Sequence, residues 1–295
     1  MNPLISINLC CYNSEKYLRE TLQSIAEQTY QHWELVVIND GSSDATEAIV
    51  QEFQRQGHPV LYQYQANHGL SYSRNRALAL SRGEYVAFID HDDLWLPDKL
   101  ERQVDIIREG AEDVELIYTR ASYFRENGEE QEAVARYAGR DMPEGRILED
   151  LLLGDDFIVL SSAVARKDAC LSLGGFPADF RYAEDYYLFA GIAANYRVRC
   201  VQSVCCRYRL HGDNSTLQLK TRGCREKLEI FRKWSPFLGP VVSEERKDAK
   251  RKELETLIGA MMMKYDRRYV AGFLQIAAKG SFVTLLREGL RSRRA

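Results

Sequence analysis

Apolar runs of strand length and apolar positions at helical spacing take turns through the first hundred residues, with polar turns between them. Leu4–Cys10 (LISINLC) reads as a buried strand, and Ser14–Gln28 places Tyr17, Leu18, Leu22 and Ile25 at a helical period. Trp33–Asn39 (WELVVIN) predicts a second strand, closed by Asp40-Gly41-Ser42-Ser43 and followed by a helix to about Phe53. Val60–Gln65 predicts a third strand, Gly69–Arg82 a helix, and Glu84–Ile89 (EYVAFI) a fourth strand. A helix restarts after Pro97, a residue suited to a first turn. Such alternation with short connections predicts a mostly parallel, Rossmann-like α/β sheet flanked by helices. Ligands of such sheets sit beyond the carboxyl ends of the strands.

The pattern then loosens. Residues 112–157 are acid-rich and carry Gly128, Gly139, Gly145 and Gly154, which predicts loops and an excursion. Phe157–Arg166 reads as a strand and Gly174-Gly175-Phe176-Pro177 as a turn. Tyr186–Ala194 reads as an apolar helix and Arg197–Leu210 as a strand closing on His211. From about Leu217 the chain is charged and helix-forming, so residues 1–217 are expected to form one domain and 218–295 a C-terminal helical extension.

With 45% hydrophobic and 28% charged residues in 295, the chain is neither disordered nor collagen-like. The net charge of −3 conceals an asymmetry: residues 218–295 hold 19 Lys and Arg against 9 Asp and Glu, whereas residues 1–217 hold 21 against 34. The seven cysteines include no C-x-x-C, which argues against a disulfide framework or a standard zinc site and favours reduced thiols in a cytoplasm. The N-terminus lacks the basic and small-residue features of a signal peptide. No run approaches the roughly 20 apolar residues of a membrane span.

The unusual polar clusters all fall at predicted strand ends. Tyr12-Asn13 follows the first strand, Asp40 the second, and Asp90-His91-Asp92-Asp93 the fourth. Three carboxylates within four residues call for a cation, and Mg²⁺ or Mn²⁺ suits oxygen ligands; a solvated acidic turn is the plain alternative. Glu184-Asp185 is a second acid pair, suited to a general base or simply to the positive end of a helix. His211 reads equally as a metal ligand or a turn histidine. Tyr12 could stack on a base and Asp40 could accept from one, or each could serve its own turn. Arg74 could meet a diphosphate or form a surface ion pair.

Together these residues carry a resemblance. The segments Tyr12-Asn13-x-Glu15-x-Tyr17-Leu18, Gln28-Thr29-Tyr30-x-x-Trp33 through Asp44, and Asn67-x-Gly69-x-Ser71-x-Ser73-Arg74-Asn75 are similar to those of family 2 glycosyltransferases. Gly83 through Asp93, Gly174-Gly175-Phe176, Glu184-Asp185 and Tyr208-Arg209-x-His211 continue the likeness in order, over about residues 4–216. The resemblance implies a GT-A fold and an inverting, metal-dependent transfer from a nucleotide-diphospho-sugar, with UDP the default. The sugar would be a hexose or N-acetylhexosamine. The acceptor would be a glycan or a lipid-linked sugar, as in bacterial surface polysaccharide synthesis. It further implies Tyr12, Asn13 and Asp40 on the nucleobase side, Asp90 at the ribose and Arg74 at the diphosphate. Asp92, Asp93 and His211 would bind Mn²⁺ or Mg²⁺, and Asp185 would be the base with Glu184 beside it at the acceptor.

Lys279–Arg294 places Phe282, Leu285, Leu286 and Leu290 at helical spacing among arginines. This predicts a peripheral contact with an anionic membrane, on the inner face of the cell membrane, or docking on the acidic body. The extension could equally serve acceptor contacts or a homo-oligomer. Nucleic acid is not an expected partner, because the predicted cleft is acidic and no basic-aromatic stripe occurs. Two other functions compete: a silent nucleotide-sugar-binding or scaffold protein, and a sugar nucleotidyltransferase. The latter would carry a glycine-rich phosphate loop where this chain has Cys11-Tyr12-Asn13-Ser14.

Overall fold

The alternating runs of the N-terminal half become one face-covered sheet. A computed structural model describes residues 2–110, 114–132, 137–154, 156–212, 221–240 and 242–265. The chain divides into two compact units, Met1–Asn214 and Ser215–Ala295. The first begins with β1 (Ile5–Cys11), α1 (Leu18–Ala26), β2 (Trp33–Asp40) and α2 (Thr46–Arg55). It continues with β3 (Val60–Gln65), α3 (Leu70–Leu80), β4 (Tyr85–Asp90), β5 (Leu94–Trp95) and α4 (Lys99–Arg108). Then come β6 (Val114–Phe124), β7 (Glu130–Glu132), β8 (Val164–Arg166), α5 (Lys167–Ser172), α6 (Glu184–Asn195) and β9 (Arg197–Arg209).

The strands lie in the order β3-β2-β1-β4-β8-β6-β9-β5, with β7 on β6. The long ladders, β1 with β2 and β4, β2 with β3, and β6 with β9, are parallel. Short antiparallel pairings through β8 join the two halves. The resulting mixed α/β sheet is mostly parallel, as expected. Strand alternation divides the core: Ile7, Leu9, Leu35 and Val37 pack with Leu18, Leu22, Ile25 of α1 and Ile49, Val50, Phe53 of α2. Cys10, Val36 and Ile38 point to the other face, against Ala77 of α3. Each such buried side chain contributes about 1.5–3 kcal/mol of hydrophobic stabilisation.

Two elements depart from the expectation. Residues 114–124, placed in a looped excursion, form the 11-residue strand β6 between β8 and β9. The run 157–166 is only partly a strand: Leu160–Ser162 form a 3₁₀ turn and just Val164–Arg166 pair as β8. The run breaks at its two serines, where Ser162 Oγ donates to the Val159 carbonyl within the turn and Ser161 Oγ to Asp93.

The second unit contains α7 (Thr221–Trp234) and α8 (Glu244–Tyr265). Leu228, Phe231 and Trp234 are buried, and Arg232 pairs with Glu255 at 3.2 Å. Among the described residues no helix is long and apolar enough to cross a membrane. The expected amphipathic stretch 279–294 and the boundary at 217/218 lie outside the described residues.

Candidate active site

The carboxyl ends of β1, β2 and β4 meet the first turns of α3 and α6. Tyr12, just past β1, is 53% exposed, so its ring is open to solvent. Asn13 takes a left-handed φ of 50°, a conformation that asparagine tolerates. Its N–H donates to Ser42 Oγ and its Oδ1 accepts from the Ser43 N–H, both at 2.9 Å, which ties the loops after β1 and β2.

Asp40 is buried, and its carboxylate is the anchor of the loop leading into α3. Oδ1 accepts from Gln65 Nε2 (2.7 Å) and the His68 N–H (2.9 Å), and Oδ2 from the Gly69 N–H (2.8 Å). Three protein donors thus hold three of the roughly four acceptor positions of this carboxylate.

Helix α3 also organises the segment ahead of α6. Asn75 clasps the backbone of Phe176, donating to its carbonyl at 2.7 Å and accepting from its N–H at 2.8 Å. Ser71 Oγ donates to the Phe180 carbonyl at 3.2 Å. Between them, Arg74 is buried and donates from Nη1 to Glu184 Oε1 (2.5 Å) and from Nη2 to Asp90 Oδ1 (2.8 Å). Both Nη groups of Arg74 thus meet carboxylates inside the protein.

The Asp90–Asp93 run splits by function. Asp90 is the partly exposed member of the Arg74 pair. The Asp92 carboxylate lies 2.8 Å from His211 Nε2, with the His211 ring 5.0 Å from that of Tyr17. Burial discourages the charge on Asp92, but His211 and His91 hold its carboxyl below the usual range. Asp93 is fully buried; Oδ2 accepts from Ser161 Oγ (2.5 Å) and Oδ1 from the Arg209 N–H (3.0 Å). Burial, then the charges of Asp92 and Asp90, raise its carboxyl well above the usual range. Asp93 thus holds its loop to the 3₁₀ turn through one oxygen and to β9 through the other, which sets it apart from the expected metal role.

At the start of α6 the two neighbouring acids also differ. Glu184 is 5% exposed, and its Oε2 has no hydrogen-bond partner. Asp185 is only partly buried, and its Oδ1 accepts from the Tyr186 N–H at 2.7 Å. Burial pushes both up to about 7; Arg74 opposes the shift at each, while Asp156 adds to it at Asp185. A carboxylate that titrates near neutrality and can be reached by solvent is suited to general-base work. Glu184 is the more enclosed of the two acids.

Sequence reasoning missed Ser161, Asp156 and Thr21, and it singled out Arg209 within a motif without giving it a role. Ser161 links Asp93, the Asp90 N–H (3.0 Å) and, through its carbonyl, the Trp95 indole (2.6 Å). Its signal was visible as a polar break in the apolar run Ile158–Ala165. Arg209 donates from Nε to the Asp92 carbonyl (2.8 Å), and Thr21 Oγ1 to the carbonyls of His91 and Asp93 (2.9 Å each).

The residues at the site fit a divalent ion in a limited way. Among the described residues no group of three or more His, Cys, Asp or Glu could hold a metal. Asp92 and His211 offer an oxygen and a nitrogen side by side. Such a donor pair suits an ion whose remaining ligands are water and substrate phosphates.

The sequence model described as glycosyl transferase family 2 matches residues 6–168, more than half of the chain. The chain belongs to that family. TuaG of Bacillus subtilis, named as a teichuronic acid biosynthesis glycosyltransferase, is 37% identical over 108 residues, which cover 36% of this chain and 43% of that protein. The Escherichia coli UDP-Glc:α-D-GlcNAc-diphosphoundecaprenol β-1,3-glucosyltransferase WfgD is 29% identical over 210 residues, 70% of this chain and 77% of that protein. Among solved structures, S. aureus TarS 1-349 in complex with UDP-GlcNAc aligns with a TM-score of 0.66 at 21% identity. The alignment covers 90% of this chain and 74% of that one. The mannosyltransferase PcManGT of Pyrobaculum calidifontis, in complex with GDP-Man and Mn²⁺, gives 0.63 at 18% identity over 98% and 84%. These likenesses establish a GT-A fold for this family 2 glycosyltransferase.

Proposed function

We propose that this family 2 glycosyltransferase is an inverting enzyme, moving a hexose or N-acetylhexosamine from a UDP-sugar to a hydroxyl of a glycan or lipid-linked sugar. The observation that carries the reading is that Arg74 ties the donor-side Asp90 to the acid pair that opens α6. UDP-sugar use and surface polysaccharide synthesis draw support from the names of TuaG and WfgD and from the UDP-GlcNAc bound to TarS.

In this reading Tyr12 and Asn13, with the loop that Asp40 anchors, flank the nucleobase, and Asp90 faces the ribose. Asp185 removes the proton from the acceptor hydroxyl. The hydroxyl oxygen attacks the anomeric carbon as the bond to the diphosphate oxygen breaks on the opposite face, which inverts the centre. Mn²⁺ or Mg²⁺ held by Asp92 and His211 would neutralise the charge that develops on the departing diphosphate. Holding donor, acceptor and base together supplies much of the rate.

The test is nucleoside-diphosphate release from a panel of UDP-sugars, with Mn²⁺ and with EDTA. Acceptor-stimulated release that EDTA suppresses is expected. Tight donor binding without release would instead favour a silent binder. The basic stretch 279–294 is proposed to contact anionic membrane. Flotation of the full chain with anionic liposomes is expected, and equal flotation after Arg287, Arg291, Arg293 and Arg294 are all changed to Gln would reject it.

A further inference from the structure

We propose that Arg74 is a positioning residue for the transfer reaction: it fixes the first turn of α6 to the donor-side Asp90 and sets a buried positive charge beside the acid pair of that turn. The inference rests on the reading of this site as a donor and base centre.

Three observations carry it. Arg74 is 5% exposed, so its ion pairs are not the solvated kind that contribute little. Its two Nη donors reach carboxylates on different elements, Asp90 ending β4 and Glu184 opening α6. The helix that carries it also grips the intervening turn through Asn75 and Phe176, whose ring lies 5.5 Å from the guanidinium. A lysine could not span both acids, because only the planar guanidinium presents two donors in a fixed fork.

The electrostatics point the same way. The charged and titratable groups around this junction are Asp90 from β4, Cys10 from β1, Glu184 and Asp185 from α6, and Asp156 from the segment before the 3₁₀ turn. Glu184 and Asp185 are raised by burial and by neighbouring acids, and Arg74 opposes that at both. Glu184 Oε2 has no hydrogen bond that would share the task. Removing the guanidinium leaves only backbone hydrogen bonds to oppose burial and repulsion, so both acids hold their protons to higher pH. The deprotonated base then becomes scarcer at neutral pH.

The test uses the full chain in two measurements. Carboxyl ¹³C NMR of side-chain-labelled protein follows the titration of Glu184, identified by its loss in Glu184→Gln. Arg74→Met is expected to move that midpoint upward by about one pH unit or more, and Arg74→Lys by less. The acidic limb of kcat/KM, read by UDP release from whichever UDP-sugar the wild type turns over, is expected to move in the same direction. A purely structural role would lower activity at all pH values without moving the limb. An unmoved Glu184 midpoint in Arg74→Met, or a limb that stays put while the midpoint moves, overturns the proposal. If Arg74→Met does not fold, Arg74→Lys decides, and a wild-type midpoint there overturns it. A wild type that turns over no UDP-sugar rejects the transferase reading, while the NMR midpoint still decides the role of Arg74 in ionising the pair.

Discussion

Lys99 is fully buried, with its ammonium 4.1 Å over the Trp95 ring and donating to Gln103 Oε1 at 2.7 Å. Burial pushes the amine down to about 7, against about 10.4 in an unfolded chain. Between those values the unfolded chain binds one more proton than the folded one, so this residue makes stability rise with pH. The rise is clearest from about pH 8 to 9.5, between the folded and unfolded values and above most of the titration of Glu184 and Asp185 near 7. Lys99→Met is expected to remove that part of the rise, measured as Tm against pH; parallel wild-type and variant curves would contradict it. No sequence pattern singles out this lysine, since its burial depends on strands that arrive later in the chain. The same holds for how the site acids are spent. Asp40, Asp90, Asp92 and Asp185 were legible as carboxylates at strand ends and at a helix start. That Asp93 is consumed by Ser161 and Arg209, 68 and 116 residues away, was not, nor was the 110-residue reach from Arg74 to Glu184.

At the scale of elements, the site depends on how α3 seats the turn before α6. Gly175 has a φ of +70°, and a Cβ there would stand within 2.3 Å of Asn75 Oδ1. Gly128 has a φ of +84° but open space around it. Both Gly→Ala changes cost about 1–2 kcal/mol for the left-handed backbone. Gly175→Ala adds the clash with the Asn75 clasp and is expected to lower Tm further, with equal losses in the two variants counting against that clasp. The Gly174-Gly175-Phe176 signal was therefore readable as a turn, although its partner on α3 was not. Strands β1 to β4 were legible because apolar runs between short turns leave few alternatives. Strand β6 was hidden by its acidic flank and by the glycines that follow it. Strand β8 was overextended in the sequence reading, because Ser161 and Ser162 sit in an apolar run yet serve the site and a turn.

At the scale of the molecule, the acidic body and basic extension correspond to different tasks in the proposed function. Part of the body's negative charge lies in the constellation Asp90, Asp92, Glu184 and Asp185, which Arg74 partly balances. Family and fold follow from ordered motifs spread over the first unit, whereas donor sugar and acceptor depend on features that no single motif encodes. The central claim is that Asp185 is the base of a sugar transfer at this site. Its most direct test is the pH profile of acceptor-dependent UDP release by wild type and Asp185→Asn, with UDP binding followed by calorimetry. The expected result is a wild-type rate rising through about pH 7, as Asp185 ionises, and a variant that binds UDP normally but loses transfer by about two orders of magnitude or more. Wild-type turnover by Asp185→Asn would contradict the account.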